Sequence, residues 1–258
     1  MELCEINITP AGFGRAGRGG REGVRLDKFL CDMGKGTRSQ VKDGIRKGHA
    51  VVDGVVCRRP ETQIAKQTVI YEGQPVSYTA LEYYLLYKPA GVVSATEDKR
   101  EPTVLDLIPD KKRKDLFPVG RLDKDTEGLL LITNDGQLAH SLLSPKKHVD
   151  KVYYARVEGL VKPEHVELFQ KGLAFGEEAP ALPARLEILQ ASPQEEVSEI
   201  RLTLHEGRFH QVKRMMAAIG CPVTYLKRLS MGPLTLDASM KPGDYRPLTK
   251  AEIERLKG

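Results

Sequence analysis

Four consecutive apolar residues, Leu129-Leu130-Leu131-Ile132, follow directly on a polar, irregular stretch that runs from Phe117 to Gly128 and reads FPVGRLDKDTEG. A short apolar run bounded by turn residues reads as a strand buried in a sheet. The polar stretch is then a loop anchored to that strand, a position that holds side chains rigidly while leaving them accessible. A catalytic carboxylate needs that setting, and three carboxylates stand here at spacing two: Asp123, Asp125 and Glu127. With a reference pKa of about 3.9, an aspartate is ionised at neutral pH and can act as a nucleophile without a base, given a nearby cation and a dry pocket. Taken alone, the three are equally compatible with ordinary turn residues. They are also compatible with the carboxylate pair of a glycosidase, Asp123 acting with Asp125 or Glu127.

The chain around this loop alternates strands and helices. LEYYLLYK (81–88) reads as a second buried strand, DGQLAHSLL (135–143) as a helix, and KVYYARV (151–157) as a strand with alternating burial. PEHVELFQKG (163–172) reads as a helix ended by Gly172. ARLEILQ and SEIRLTLHEG form two more strands around an exposed loop at 191–198, HQVKRMMAAIG (210–220) is a helix, and LTKAEIERL (248–256) is the last one. Hairpin-type neighbours dominate. The expectation is an α+β fold with a mixed, largely antiparallel sheet flanked by helices.

The N-terminal part has a different texture. Leu26, Phe29, Leu30 and Met33 mark the apolar stripe of a short helix that Gly34 and Gly36 would end. Thr37 or Ser39 can cap a second helix in which Val41 and Ile45 face inward, Arg38, Lys42, Arg46 and Lys47 face outward, and Gly48 is the stop. Two β-branched runs around Asp53-Gly54 predict a hairpin, and a strand follows near Val69–Tyr71. Residues 25–59 hold nine basic and four acidic residues, which accounts for the whole +5 net charge of the chain. An excess confined to one module points to a nucleic-acid partner or to a solvated basic face. Ahead of it, AGFGRAGRGGREG (11–23) has almost nothing to bury and reads as a flexible tail. Its GxGxxG spacing lacks the flanking strand and helix of a dinucleotide site. Three segments result: an extension at 1–22, a basic module at 23–80 and a larger domain at 81–258.

Several classes are excluded or disfavoured. No apolar run approaches the roughly 18 residues of a membrane helix, and MELCEINITP lacks the features of a secretory leader, so the cytoplasm is expected. Cys4, Cys31, Cys57 and Cys221 form no CxxC pair and are expected as reduced, mostly buried thiols. His140, His148, His205 and His210 are not spaced as a ligand set and are expected to be structural or RNA-facing. No metal is predicted.

The order RLDKFL, basic helix, HAVVDGVVC and strand resembles the S4 RNA-binding domain over about 23–78. That resemblance implies phosphate contacts from Arg25, Lys28, Arg38, Lys42, Arg46 and Lys47. YKPAGVVSAT (87–96), the GRLD loop, KVYYARV and EGRFHQVKRMMAAIG (206–220) resemble, in order, the motifs of the pseudouridine synthases, in particular the branch acting on small-subunit ribosomal RNA. The resemblance implies isomerisation of a specific uridine in 16S rRNA, at position 516 in the loop of helix 18, or in an assembly intermediate of the 30S subunit. It makes Asp123 the nucleophile, Tyr153 the tyrosine stacked on the uracil, Lys213 the cation paired with Asp123, and Arg121 the residue that fills the RNA stack when the uridine flips out. Tyr154 is expected in the core. The resemblance also implies a monomer that needs no cofactor. The alternatives are an enzyme acting on 23S rRNA and a non-catalytic S4-type factor that only binds ribosomal RNA.

Overall fold

In the computed structural model, which describes residues 23–76, 81–144 and 147–258, a short strand β1 (Val24–Arg25) leads into α1 (Leu26–Asp32). The predicted apolar stripe of α1 is buried. Helix α2 (Arg38–Lys47) begins at Thr37, whose hydroxyl accepts from the Gln40 N–H while the Gln40 side chain accepts from the Thr37 N–H. This capping box settles the choice between Thr37 and Ser39. Gly48 ends the helix at φ 91°, left-handed backbone that glycine adopts without strain. Strands β2 (Ala50–Val52) and β3 (Val55–Cys57) form the predicted hairpin, with Asp53 and Gly54 both at positive φ. Next come β4 (Gln63–Ile64), which pairs with β1, and then β5 (Val69–Tyr71) and β6 (Gln74–Val76), which complete a sheet of order β3-β2-β5-β6. Leu26, Leu30, Val41, Ile45 and Tyr71 close the core of this unit. The Gly/Arg-rich extension lies outside the described residues. Of the cysteines expected to be mostly buried, Cys221 is buried while Cys31 and Cys57 are half-buried, and Cys4 is outside the described residues.

The chain divides between Tyr78 and Thr79. The second unit is built on β7 (Tyr83–Lys88), β8 (Phe117–Pro118), β9 (Glu127–Thr133), β10 (Lys151–Glu158), β11 (Arg185–Ser192), β12 (Val197–Leu204), β13 (Val223–Met231), β14 (Leu234–Thr235) and β15 (Tyr245–Pro247). Its helices are α3 (Gly136–Leu143), α4 (Pro163–Lys171), α5 (Gln211–Ala218) and α6 (Lys250–Lys257). The sheet runs β11-β12-β10-β13-β9-β7-β15, with β8 on β9 and β14 on β13. The α+β expectation holds, and among the described residues β9–β13 is the single parallel pairing between strands. Every residue of β7 is buried because both faces of the sheet are covered. Tyr84, Leu86, Leu130 and Ile132 pack on one side with Phe169 of α4 and Met215 and Met216 of α5. Tyr83, Leu85, Leu129 and Leu131 pack on the other with Leu138 and Leu142 of α3 and Leu256 of α6.

Strand β13 is the longest of the elements that the sequence pattern does not reveal, which also include the short strands β1, β4, β6, β8, β14 and β15. Its segment VTYLKRLSM interrupts apolar residues with Lys227 and Arg228, yet Arg228 is only 2% exposed. Its place beside β9 depends on Gly128, which pairs with Arg228 at φ 109°. A Cβ at Gly128 would stand 2.2 Å from the Arg228 carbonyl oxygen and 2.6 Å from its nitrogen. Gly128→Ala therefore has to push the two strands apart and is expected to cost roughly 3 kcal/mol, lowering the melting temperature by about 10 °C. A thermal melt checks this. A Tm within about 2 °C of the parent would mean that β9 and β13 do not approach this closely.

Candidate active site

The loop between β8 and β9 carries Asp123 to the N-terminal end of α5. Lys213, one turn into that helix, places Nζ 3.1 Å from Asp123 Oδ2 and 2.6 Å from Asp125 Oδ1. His210 stands just before α5 with left-handed backbone (φ 48°, ψ 32°), its Nε2 3.4 Å from Asp123 Oδ1 and its ring stacked on exposed Phe209. Asp123 and Lys213 are each 25% exposed, so the pair is partly shielded from water, where it is stronger than a surface pair. Burial presses the Lys213 pKa down, but its hydrogen bonds to Asp125 and Asp123 outweigh that and raise it. Lys213 is a firm cation. The same hydrogen bond from Lys213 holds Asp125 below the usual carboxylate range.

The YKPAGVVSAT segment fixes the loop from beneath. Lys88, at the end of β7, is fully buried, and its Nζ donates to the carbonyls of Pro89 (3.0 Å), Lys124 (3.3 Å) and Thr126 (2.8 Å). An ammonium has three N–H bonds, and here each has its own acceptor. Gly91 N–H donates to the Lys124 carbonyl at 2.7 Å. The Ser94 hydroxyl donates to Leu122 O at 2.8 Å and lies 3.0 Å from Leu122 N, next to Asp123. Burial pushes the Lys88 pKa down to about 8, which leaves it protonated at neutral pH.

A pocket opens beside Asp123, lined also by Arg121, Thr126, Lys151, Tyr153, His210 and Arg228. Tyr153, from the middle of β10, is 8% exposed and belongs to the core as well as to the pocket wall. Arg121 is exposed at the rim. Thus Asp123 and Arg121 of the GRLD loop, Tyr153 and Lys213, four residues singled out from three motifs, converge on one pocket. The expectation that Tyr154 fills the core is corrected. Neighbours on a strand face opposite ways, and Tyr154 is half-buried, edge-on to Tyr225 at 6.0 Å. Sequence reasoning also missed His210 as a neighbour of Asp123, and it missed Lys88, Thr126 and Arg228. His210 and Thr126 lie inside the quoted motifs, so their proximity could have been suspected; nothing in the local sequence marks Arg228.

Asp125 is not set up as the second carboxylate of a glycosidase. A general acid needs a raised pKa, whereas Asp125 is held down by Lys213 and is 72% exposed. Glu127 accepts from the hydroxyls of Tyr225 (2.8 Å) and Tyr87 (3.5 Å).

Residues 82–218 match the RNA pseudouridylate synthase family, and residues 24–70 match the S4 domain. The chain is 44% identical over 236 residues to the RNA pseudouridine synthase YtzG of Bacillus subtilis, covering 90% of this chain and 98% of that one. It belongs to the pseudouridine synthases. It is also 41% identical over 233 residues to ribosomal small subunit pseudouridine synthase A of Vibrio parahaemolyticus, with 90% and 98% covered, and 39% identical over 233 residues to its Escherichia coli K12 counterpart, with 89% and 98% covered. A solved pseudouridylate synthase crystal structure aligns with a TM-score of 0.63 at 37% identity, covering 90% of this chain and 99% of that one.

The S4 domain of this pseudouridine synthase has two kinds of basic residue. Arg25 donates to both oxygens of the fully buried Asp27, at 3.0 and 2.8 Å, and Lys42 Nζ lies 4.0 Å from the same carboxylate. Burial alone would raise the Asp27 pKa, but the Arg25 and Lys28 hydrogen bonds overcome it and lower it. Lys28 pairs with Asp32 at 2.7 Å, and Arg46 lies 3.6 Å from exposed Asp43. Arg38 and Lys47 are exposed and form no ion pair among the described residues.

Burial of Lys88 gives the enzyme a defined pH response. Folded Lys88 releases its proton near pH 8, whereas in the unfolded chain it keeps it up to about pH 10.5. Between these values the unfolded state binds more protons, so stability rises with pH across the window. Denaturant unfolding is expected to show the parent gaining on the order of 2 kcal/mol relative to Lys88→Met between pH 8 and 10. Equal pH slopes in the two proteins would refute the burial of this charge.

Proposed function

We propose that this pseudouridine synthase isomerises a uridine of 16S rRNA, position 516 in the loop of helix 18, with Asp123 as the attacking carboxylate. The observation that carries the reading is the Asp123–Lys213 pair at 3.1 Å in a pocket shared with Tyr153. Lys213 pairs with Asp123 and orients it. The uridine flips out of the RNA, its uracil stacks on Tyr153, and Arg121 at the rim takes its place in the stack with a planar cation. Asp123 faces C1′, and both carboxylate attack there and a glycal path through the sugar begin from this position. On the attack path the Asp123–C1′ bond forms as C1′–N1 breaks, the base turns, and C5 bonds to C1′ as the Asp123–C1′ bond breaks. On the glycal path C1′–N1 breaks with loss of the C2′ proton, which returns to C2′ when C5 bonds to C1′. The proton lost from C5 is matched by one gained at N1, so every atom is conserved and no cofactor is consumed.

The small-subunit target is supported by the relatives that carry ribosomal small subunit in their names. An S4 domain with a +5 basic stretch suits 16S rRNA or a 30S assembly intermediate as the substrate. The enzyme is taken to act as a cytoplasmic monomer. No helix among the described residues is long and apolar enough to cross a membrane.

Three measurements check this reading. Asp123→Asn is expected to lower product formation at least about 1,000-fold while RNA binding changes less than about threefold; wild-type turnover would remove Asp123 from its role. Carbodiimide mapping of both rRNAs from cells lacking the gene is expected to lose one pseudouridine in the helix 18 loop, and a loss in 23S rRNA would redirect the target. Replacing Arg38, Arg46 and Lys47 with Gln is expected to flatten the slope of log K against log salt by about 2 to 3 for RNA binding. An unchanged slope would show that α2 does not meet the phosphates.

A further inference from the structure

Among the described residues, three buried side-chain polar atoms lack a hydrogen-bond partner: Thr126 Oγ1, His205 Nδ1 and Arg228 Nη2. His205 Nδ1 has a counter-charge, the Asp150 carboxylate at 2.8 Å. The other two have none, and both belong to residues that line the Asp123 pocket. Each of these residues is only 2% exposed. Arg228 donates through Nε to the Leu129 carbonyl at 2.8 Å, which fixes the guanidinium and leaves Nη2 unused. Lys151, 4% exposed in the same pocket, donates to the Val149 carbonyl at 3.1 Å, and neither it nor Arg228 forms an ion pair among the described residues. Burial first, and then the charge of Arg228, press the Lys151 pKa down.

An unmade hydrogen bond at a buried donor costs about 1–3 kcal/mol, more for a charged group. A fold carries two such groups in one pocket where something outside the protein completes them. Lys213 cannot, because it is a cation committed to Asp123 and Asp125. An RNA phosphate is too bulky and too hydrated to reach groups this deep. The flipped base is what enters.

We propose that Arg228 Nη2 and Thr126 Oγ1 bind the polar edge of the uracil ring, and that Arg228 holds the negative charge the base carries once the C1′–N1 bond has broken. The inference rests on the reading of Asp123 given above. Heterolysis leaves the bonding pair on N1, delocalised onto O2 and O4. A fixed guanidinium donor binds that anion more tightly than it binds neutral uracil, so the interaction lowers the barrier instead of only tightening the complex. The charge is transient: C5 then bonds to C1′, loses its proton, and N1 regains one. A hydroxyl both donates and accepts, so Thr126 can meet either a ring carbonyl or the N3–H.

Arg228→Met and Thr126→Val test this on the RNA that the parent enzyme modifies, made with uridine, 2-thiouridine or 4-thiouridine at the target position. Sulfur accepts hydrogen bonds weakly, and the mutant cycle subtracts its other effects on the ring. With uridine, Arg228→Met is expected to lower kcat about 100-fold and to change KM less than about threefold; Thr126→Val is expected to lower kcat/KM about tenfold. One thio substitution is expected to slow the parent about tenfold and to slow Arg228→Met hardly at all, and that analogue names the carbonyl bound. Losses that simply multiply for both analogues, or parental kcat in Arg228→Met, would overturn the proposal. If Arg228→Met does not fold by thermal melt, Arg228→Lys enters the same cycle with the same two outcomes. Activity retained in Asp123→Asn would instead overturn the reading of the site, which separates the two failures.

Discussion

The candidate site hangs on one buried ammonium. Lys88 reaches out of the end of β7 and holds three carbonyls, two of them in the loop that bears Asp123. A loop of this composition has few apolar side chains of its own with which to choose a conformation. Its backbone is set by donors that come from the 87–96 segment: Lys88, the Gly91 N–H and the Ser94 hydroxyl. Burying an uncompensated lysine is costly. The cost is offset only because each N–H has an acceptor and because the carboxylates of Asp123, Asp125 and Glu127 surround it at longer range.

The same region shows how charge is apportioned. The two aspartates share Lys213, whose hydrogen bond holds Asp125 below the usual carboxylate range and denies it an acid's role. Behind them, Arg228 and Lys151 line the pocket wall and form no ion pair among the described residues. In the proposed reading, the carboxylates lie toward the sugar of the bound uridine and the cationic donors toward its base. That polarity runs in the direction in which electrons move when a glycosidic bond is cleaved toward nitrogen, and it exists before any substrate arrives.

Much of this was legible in the residues. Periodicity and turn chemistry located most helices and the Asp53-Gly54 hairpin, because those elements are determined within a dozen residues. The motif resemblance brought Asp123, Arg121, Tyr153 and Lys213 to one place before any coordinates did. What stayed hidden depends on contacts distant in sequence. Strand β13 reads as too polar because its Arg228 is buried by tertiary packing and not by local pattern, and the parallel pairing with β9 turns on the absence of a Cβ at Gly128. In the S4 domain a count of basic residues overstates the free charge, since Arg25 is tied to Asp27, a carboxylate the charge count treats as exposed.

All the groups described around Asp123 come from residues between Lys88 and Arg228, within the second unit. If the basic module selects the RNA as proposed, chemistry and addressing are written on separate stretches of chain. A different basic module fused ahead of Leu81 would leave every contact of the carboxylate, its lysine and its tyrosine unchanged. The target RNA could change over evolutionary time by exchange of a front segment, with the bond-breaking apparatus inherited whole.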